Sequence, residues 1–191
     1  MSETKIDETA RIKKLITDHF DGSPWLNVTI SDTLKKNSSS QAAKKIDGLN
    51  SIWQIVNHLT ALRETLYCKL SGESVTFTSN NFIEDITDTS EKNWKNDLKK
   101  LDKSQKNIMK FLSDSRDLDF QLEYSNGHTF YEDMQAILQH DAYHLGQIVI
   151  LQKLTSGKTK LHHYINIKKQ NSQYEAQDIL INIFSTPDGT G

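Results

Sequence analysis

The sequence is poor in cysteine and has no long apolar run, and both absences limit the class of protein. Cys68 is the only cysteine in 191 residues, so a small secreted fold held by internal disulfides is excluded. No apolar run approaches the roughly 20 residues that a membrane-spanning helix needs. The first ten residues are polar and lack the apolar core of a signal peptide. We therefore expect a cytoplasmic protein with no membrane partner.

The chain also lacks an excess of either charge. The formal net charge is −2, and 25% of the residues are charged against 36% hydrophobic, which is typical of a soluble globular protein. Lysine pairs are spread along the chain and mixed with acidic residues, which indicates solvated helix faces. This balance gives no reason to expect a nucleic acid as a partner.

Four segments repeat their apolar residues with helical spacing, at about 5–20, 51–71, 89–113 and 130–154. Four amphipathic helices of similar length predict an all-α four-helix bundle. The apolar stripes comprise Ile12, Leu15, Ile16, His19 and Phe20; Ile52, Ile55, Val56, Leu59, Leu62, Leu66 and Leu70; Trp94, Leu98, Leu101, Gln105, Ile108 and Leu112; and Met134, Ile137, Leu138, Leu145, Ile148, Val149 and Leu151.

Polar residues mark where three of these helices begin. Ser51 is a plausible N-cap for the second helix, because its hydroxyl can accept a hydrogen bond from a free backbone N–H. Asp88 with Glu91, and Thr129 with Glu132, have the spacing of capping pairs at the third and fourth helices.

The segments between the helices predict two further features. Residues 21–50 form a long crossover after the first helix, with room for a short helix near 30–34. Leu118, Phe120, Leu122 and Tyr124 alternate before an Asn-Gly pair, which indicates a short hairpin. We expect the bundle domain to cover 1–154, followed by a C-terminal extension at 155–191 that is partly disordered.

The histidines are the most informative residues. His140 and His144 are four apart in the fourth helix, so they lie on one helix face and can hold one metal ion. His58 occupies a similar position, between apolar residues of the second helix. Burying imidazoles without partners is costly, whereas a shared divalent ion would satisfy all three. Three neutral imidazoles with open coordination positions are typical of a catalytic metal site.

Alternative explanations of the histidines are weaker or bland. A lone histidine on an amphipathic helix is by default a boundary residue bonded to a neighbour, and that explanation suffices for the remaining four, His19, His128, His162 and His163. The zinc-peptidase motif needs a glutamate directly after its first histidine, and here that residue is Asp141. The His-Asp sequence is shared with metal phosphohydrolases, but their further ligands have no evident counterpart.

Two stretches of the chain resemble one family in particular. Residues 51–59 read SIWQIVNHL, and residues 140–148 read HDAYHLGQI. Together with Trp25, Ser31 and Leu34, they are similar to motifs of the DinB-like superfamily, which includes metal-dependent hydrolases of the YfiT type. The similarity covers about residues 5–154, in the order expected for the family, and the chain departs from the pattern after that.

The resemblance implies an up-down-down-up four-helix bundle that forms a homodimer. It also implies that His58, His140 and His144 bind a divalent nickel, zinc, manganese or iron ion. Related members include bacillithiol-type and mycothiol-dependent S-transferases or isomerases, so a small-molecule substrate and a low-molecular-weight thiol are the implied partners.

Three functions follow as hypotheses. The first is an enzyme that activates a small thiol for S-transfer, the second is a hydrolase that activates water, and the third is a non-catalytic dimerisation or binding module. Among nearby residues, Gln147 is the one candidate for hydrogen-bonding a ligand histidine or contacting substrate. We expect Asp141 and Tyr143 to point away from the metal, towards another helix or a partner subunit, and Gly146 to allow a close helix approach.

Overall fold

Four long helices dominate the fold, as the sequence predicts. The computed structural model describes residues 7–73, 83–115, 119–125 and 127–156, with the backbone alone at 124 and 125. The elements are, in chain order, α1 (Glu8–Phe20), α2 (Ile30–Leu34), α3 (Ser39–Ala43), α4 (Ile52–Leu70), α5 (Glu91–Asp114), β1 (Glu123–Ser125), β2 (His128–Thr129) and α6 (Phe130–Thr155). The all-α fold class is confirmed, and the predicted bounds of the long helices are wrong by three residues at most.

Reciprocal capping fixes the starts of α4 and α6, the helices that carry the candidate ligands. The Ser51 hydroxyl accepts from the backbone N–H of Gln54, and the Gln54 side chain accepts from the backbone N–H of Ser51. Thr129 and Glu132 make the same pair of bonds at α6. Both predicted caps are confirmed, and each satisfies two backbone donors that a bare helix end would leave unpaired.

The start of α5 differs from the prediction. Ser90 is its N-cap and accepts from the backbone N–H of Asn93. Asp88 lies two residues before Ser90 and accepts from the backbone N–H of Ser90 and from the Asn93 side chain. The predicted Asp88–Glu91 pair is therefore wrong, because Asp88 orders the residue that caps the helix instead of capping it.

Two apolar clusters form the core among the described residues. One includes Trp53 and Trp94, whose ring centroids lie 5.1 Å apart, and the other includes Phe120 and Phe130 at 5.0 Å. Most of the predicted stripe is buried, but Leu15 is 49% exposed. Leu62 is only half-buried, and Arg63 beside it is buried instead.

The connections hold two differences from the sequence predictions. The short helix near 30–34 is confirmed as α2, but a second short helix, α3, lies in the serine run of the predicted crossover. Ser38 explains α3, because it forms a capping box with Gln41. The hairpin is shorter than the alternation predicts: β1 pairs antiparallel with β2, while Phe120 packs in the core before the strand begins.

In the described part of the chain, every helix is too short or too polar to cross a membrane. The predicted extension from 155 onwards lies outside the described residues, apart from the end of α6 and Ser156. His162 and His163 lie outside them as well.

Candidate metal centre

Helices α4 and α6 bring the three predicted histidines together. His58 lies in the second turn of α4, and His140 and His144 lie one turn apart on α6. The Nε2 atom of His140 lies 3.0 Å from Nε2 of His58 and 3.0 Å from Nε2 of His144. Each residue offers one nitrogen to a group whose members all lie within 4.8 Å of one another. Residues 82 positions apart in sequence therefore share one small volume.

The histidines are largely removed from water, which favours their neutral form. His58 and His144 are 7% and 8% exposed, and His140 is half-buried. Burial and the neighbouring His144, His58 and Arg63 lower the pKa of His140 to about 4. Burial also lowers the pKa of His144, against the opposing effect of its hydrogen bond with Gln147. Neutral imidazoles at physiological pH are the form that binds a metal ion.

Gln147 orients the His144 ring and selects its tautomer. Its Oε1 atom lies 2.7 Å from Nδ1 of His144, one turn along α6. A carbonyl oxygen only accepts, so Nδ1 carries the proton and Nε2 keeps a free lone pair. The lone pair faces the other two histidines. The sequence prediction that Gln147 hydrogen-bonds a ligand histidine agrees with this contact, whereas contact with a substrate stays a prediction.

The donor set fits a shared divalent ion better than it fits direct hydrogen bonds. With Nε2 of His144 unprotonated, a single proton on Nε2 of His140 can be directed at one neighbour at a time. A cation placed among the three nitrogens can instead bind all of their lone pairs at once. Two imidazole nitrogens bound to one tetrahedral zinc ion lie roughly 3.3 Å apart. The observed 3.0 Å spacing is close to that value.

A buried ion pair lies beside the histidines, and the sequence predicts only half of it. Asp141 points to α4, as one of its two predicted alternatives has it, and accepts from Nη2 of Arg63. The two side chains are 4% and 2% exposed. Burial raises the pKa of the Asp141 carboxyl, and the charges of Arg63 and His19 oppose that shift. Helical periodicity does not single out Arg63, although a cation in the apolar stripe five residues after His58 is a usable signal.

Two other residues near the site behave differently from the prediction. The Tyr143 ring is 64% exposed, but it also contacts the His144 ring edge-on at 5.0 Å between centroids, so it does not point wholly away from the site. Gly146 faces open space, and a Cβ added there would meet no heavy atom within 4 Å outside its own helix backbone. The expected close helix approach at Gly146 is therefore wrong.

The other described histidines lie outside the cluster. His19 is half-buried near the end of α1, and His128 is exposed in β2. Neither belongs to a metal-binding group among the described residues. Gathering His58, His140 and His144 and leaving out His19 and His128 is the selection that helical spacing and apolar context predict.

Comparison with known proteins agrees with the fold and the cluster. A family model described as the DinB superfamily matches residues 30–148, a segment that contains His58, His140, His144 and Gln147. No curated protein and no solved structure matches the chain. The matched segment covers more than half of the sequence and runs from the start of α2 into α6. The chain therefore belongs to the DinB superfamily.

Proposed function

We propose that the chain is a metal-dependent enzyme whose divalent ion is held by His58, His140 and His144. The observation that carries this proposal is the convergence of three Nε2 atoms from two helices, with Nε2 of His140 3.0 Å from each of the others. Imidazole ligands suit zinc, nickel or iron, while manganese prefers carboxylate and carbonyl oxygens. The donor set thus favours the first three of the four metals that the resemblance implies.

The reaction we propose is S-transfer from a low-molecular-weight thiol to a small electrophilic substrate. Because all three ligands are neutral, a bound divalent ion keeps its full charge and lowers the pKa of a thiol or water beside it. The chain's own contribution is geometric. Gln147 fixes the His144 ring, and the half-buried His140 marks the side of the cluster nearest to solvent.

Metal analysis tests the binding half of the proposal. Protein purified without a histidine tag or chelator is expected to carry close to one divalent ion per chain by inductively coupled plasma mass spectrometry. His58→Ala, His140→Ala and His144→Ala should each lose most of it. His128→Ala is the matched control, because His128 is exposed and lies outside the cluster. Equal metal in the parent and the His58→Ala variant would contradict the assignment, and a metal-free parent would favour a non-catalytic binding module.

Thiol dependence tests the reaction half. The metal-loaded protein is incubated with an alkylating or epoxide electrophile, with and without a small thiol, and product is followed by mass spectrometry. S-transfer predicts a thioether product that requires the thiol and is lost in His58→Ala. Turnover of the electrophile by water alone would replace this proposal with the hydrolase alternative.

A further inference from the structure

One buried guanidinium contacts all four long helices beside the histidines. Arg63 of α4 donates from Nη2 to Asp141 of α6 and from Nε to Oε1 of Gln105 on α5 at 3.3 Å. Its carbon Cζ lies 5.5 Å from the ring centroid of Phe20, the last residue of α1. We call Arg63, Gln105 and Asp141 the Arg63 cluster. A single head group thereby contacts every long element of the bundle.

The Arg63 cluster is tied directly to the turns that carry the candidate ligands. Nη1 of Arg63 donates to the backbone carbonyl of Leu59 at 3.3 Å, and Leu59 follows His58. On the other helix, Asp141 follows His140 directly and precedes His144 by three residues. Each end of the ion pair is therefore bonded to, or part of, a residue next to a histidine. A shift of α4 against α6 would break the ion pair and separate the histidines together.

Apolar packing alone sets the α4–α6 register weakly. These two helices contact each other less extensively than α4 and α5 do. Apolar contacts are non-directional, whereas a charge-assisted hydrogen bond requires a defined distance and angle. A buried ion pair also adds little net stability over an apolar pair of similar volume, so stability does not by itself explain the cluster. Specifying register is the best-attested role of such buried polar groups.

We propose that Arg63 and Asp141 are positioning residues whose ion pair sets the register of α4 against α6 and so brings His58 within ligand distance of His140 and His144. The inference rests on the proposed metal centre. It goes further, because it assigns the geometry of that centre to residues that do not touch the ion.

The test replaces the pair with apolar side chains of similar size in the full chain. The double variant Arg63→Met with Asp141→Leu leaves no unpaired charge, so it is expected to fold. Its affinity for Co²⁺, measured by titration, should fall by about 10- to 100-fold, the usual effect of removing groups that orient ligands. The visible absorption bands of the bound Co²⁺ should also change, since they report coordination geometry.

A second variant separates register from general loss of stability. Leu112→Ala removes buried apolar volume from the core cluster that contains none of the histidines. It should lower the unfolding midpoint and leave the Co²⁺ affinity and spectrum as in the parent. Parental affinity and spectrum in the double variant, or an equal loss in Leu112→Ala, would overturn the inference.

Arg63→Lys decides the case if the double variant does not fold. Lysine keeps the charge opposite Asp141 but cannot bond Leu59, Gln105 and Asp141 together with one planar fork. The folded Arg63→Lys variant should bind Co²⁺ several-fold more weakly than the parent. Unchanged binding would contradict the positioning role.

A metal-free readout separates this inference from the proposed function. Nuclear Overhauser contacts between ring protons of His58 and His140 are expected in the metal-free parent and should be lost or weakened in the double variant or Arg63→Lys. If the parent binds no Co²⁺, the metal centre is wrong, and these ring contacts alone decide whether Arg63 and Asp141 position the histidines. Ring contacts that persist unchanged would refute the positioning role.

Discussion

His144 shows how one neighbouring side chain decides what an imidazole can do. An isolated neutral histidine can place its proton on either nitrogen, so its capacity as an Nε2 ligand is undefined. The carbonyl oxygen of Gln147, 2.7 Å from Nδ1, fixes the proton there. The free lone pair on Nε2 then faces His58 and His140. Groups of this kind usually contribute to metal affinity without touching the ion.

Replacing Gln147 should therefore weaken metal binding while leaving the fold intact. Gln147→Leu keeps the volume but removes the acceptor, so we expect the zinc affinity to fall about tenfold or more. Gln147→Glu keeps an acceptor oxygen and should bind close to the parent. A competition titration against a chromophoric chelator measures both. Gln139→Leu, on the exposed face of α6, is the control. Identical affinity in Gln147→Leu and Gln139→Leu would mean that the hydrogen bond does not orient the ligand.

At the scale of the elements, the capped starts of α4 and α6 and the Arg63 cluster together define where the histidines lie. The caps fix where each helix begins, and the number of residues from cap to ligand then fixes the face on which a histidine lies. The cap residues were readable from sequence because capping acts over three residues. The Arg63–Asp141 contact spans 78 residues, and helical periodicity carries no information at that range.

The ion pair should show strong coupling in unfolding experiments. Arg63→Met leaves a buried carboxylate without its cation, and Asp141→Leu leaves a buried guanidinium, so each should cost about 3–5 kcal/mol of unfolding free energy. The double variant removes both charges and should cost far less than the sum. Urea unfolding followed by circular dichroism measures all four corners of the cycle. Additive losses would show that the two charges do not stabilise each other.

At the scale of the whole molecule, the sequence predicts the class of fold well because amphipathic periodicity, caps and loop positions all act locally. The departures have identifiable physical causes. Leu15 and Leu62 fit a helical stripe, but the former stays half in solvent and the bundle buries the guanidinium of Arg63 beside the latter. Gly146 has the size for a close helix contact, yet among the described residues no helix approaches it. Packing between distant segments decides these positions.

The candidate site was predictable to the same extent, for related reasons. His140 and His144 share one helix, so their common face follows from the helical repeat alone. The approach of His58 to them depends on how α4 packs against α6, and only its semi-buried context and the family resemblance pointed to it. The contacts around the histidines, from Arg63 and Tyr143, required the folded structure.

The homodimer that the resemblance implies stays a prediction. Two chains of 21.9 kDa should sediment as one species of twice that mass at micromolar concentration in analytical ultracentrifugation. The same run on metal-free protein shows whether assembly depends on the ion. Sedimentation at the mass of one chain under both conditions would contradict the prediction.

The central claim is that one divalent ion binds at Nε2 of three histidines from two helices. Anomalous scattering at the zinc absorption edge, from crystals of the zinc-loaded protein, tests it most directly. The account predicts one strong anomalous peak about 2.0–2.1 Å from Nε2 of His58, His140 and His144. A peak bound to other residues, or no peak near these three nitrogens, would contradict it.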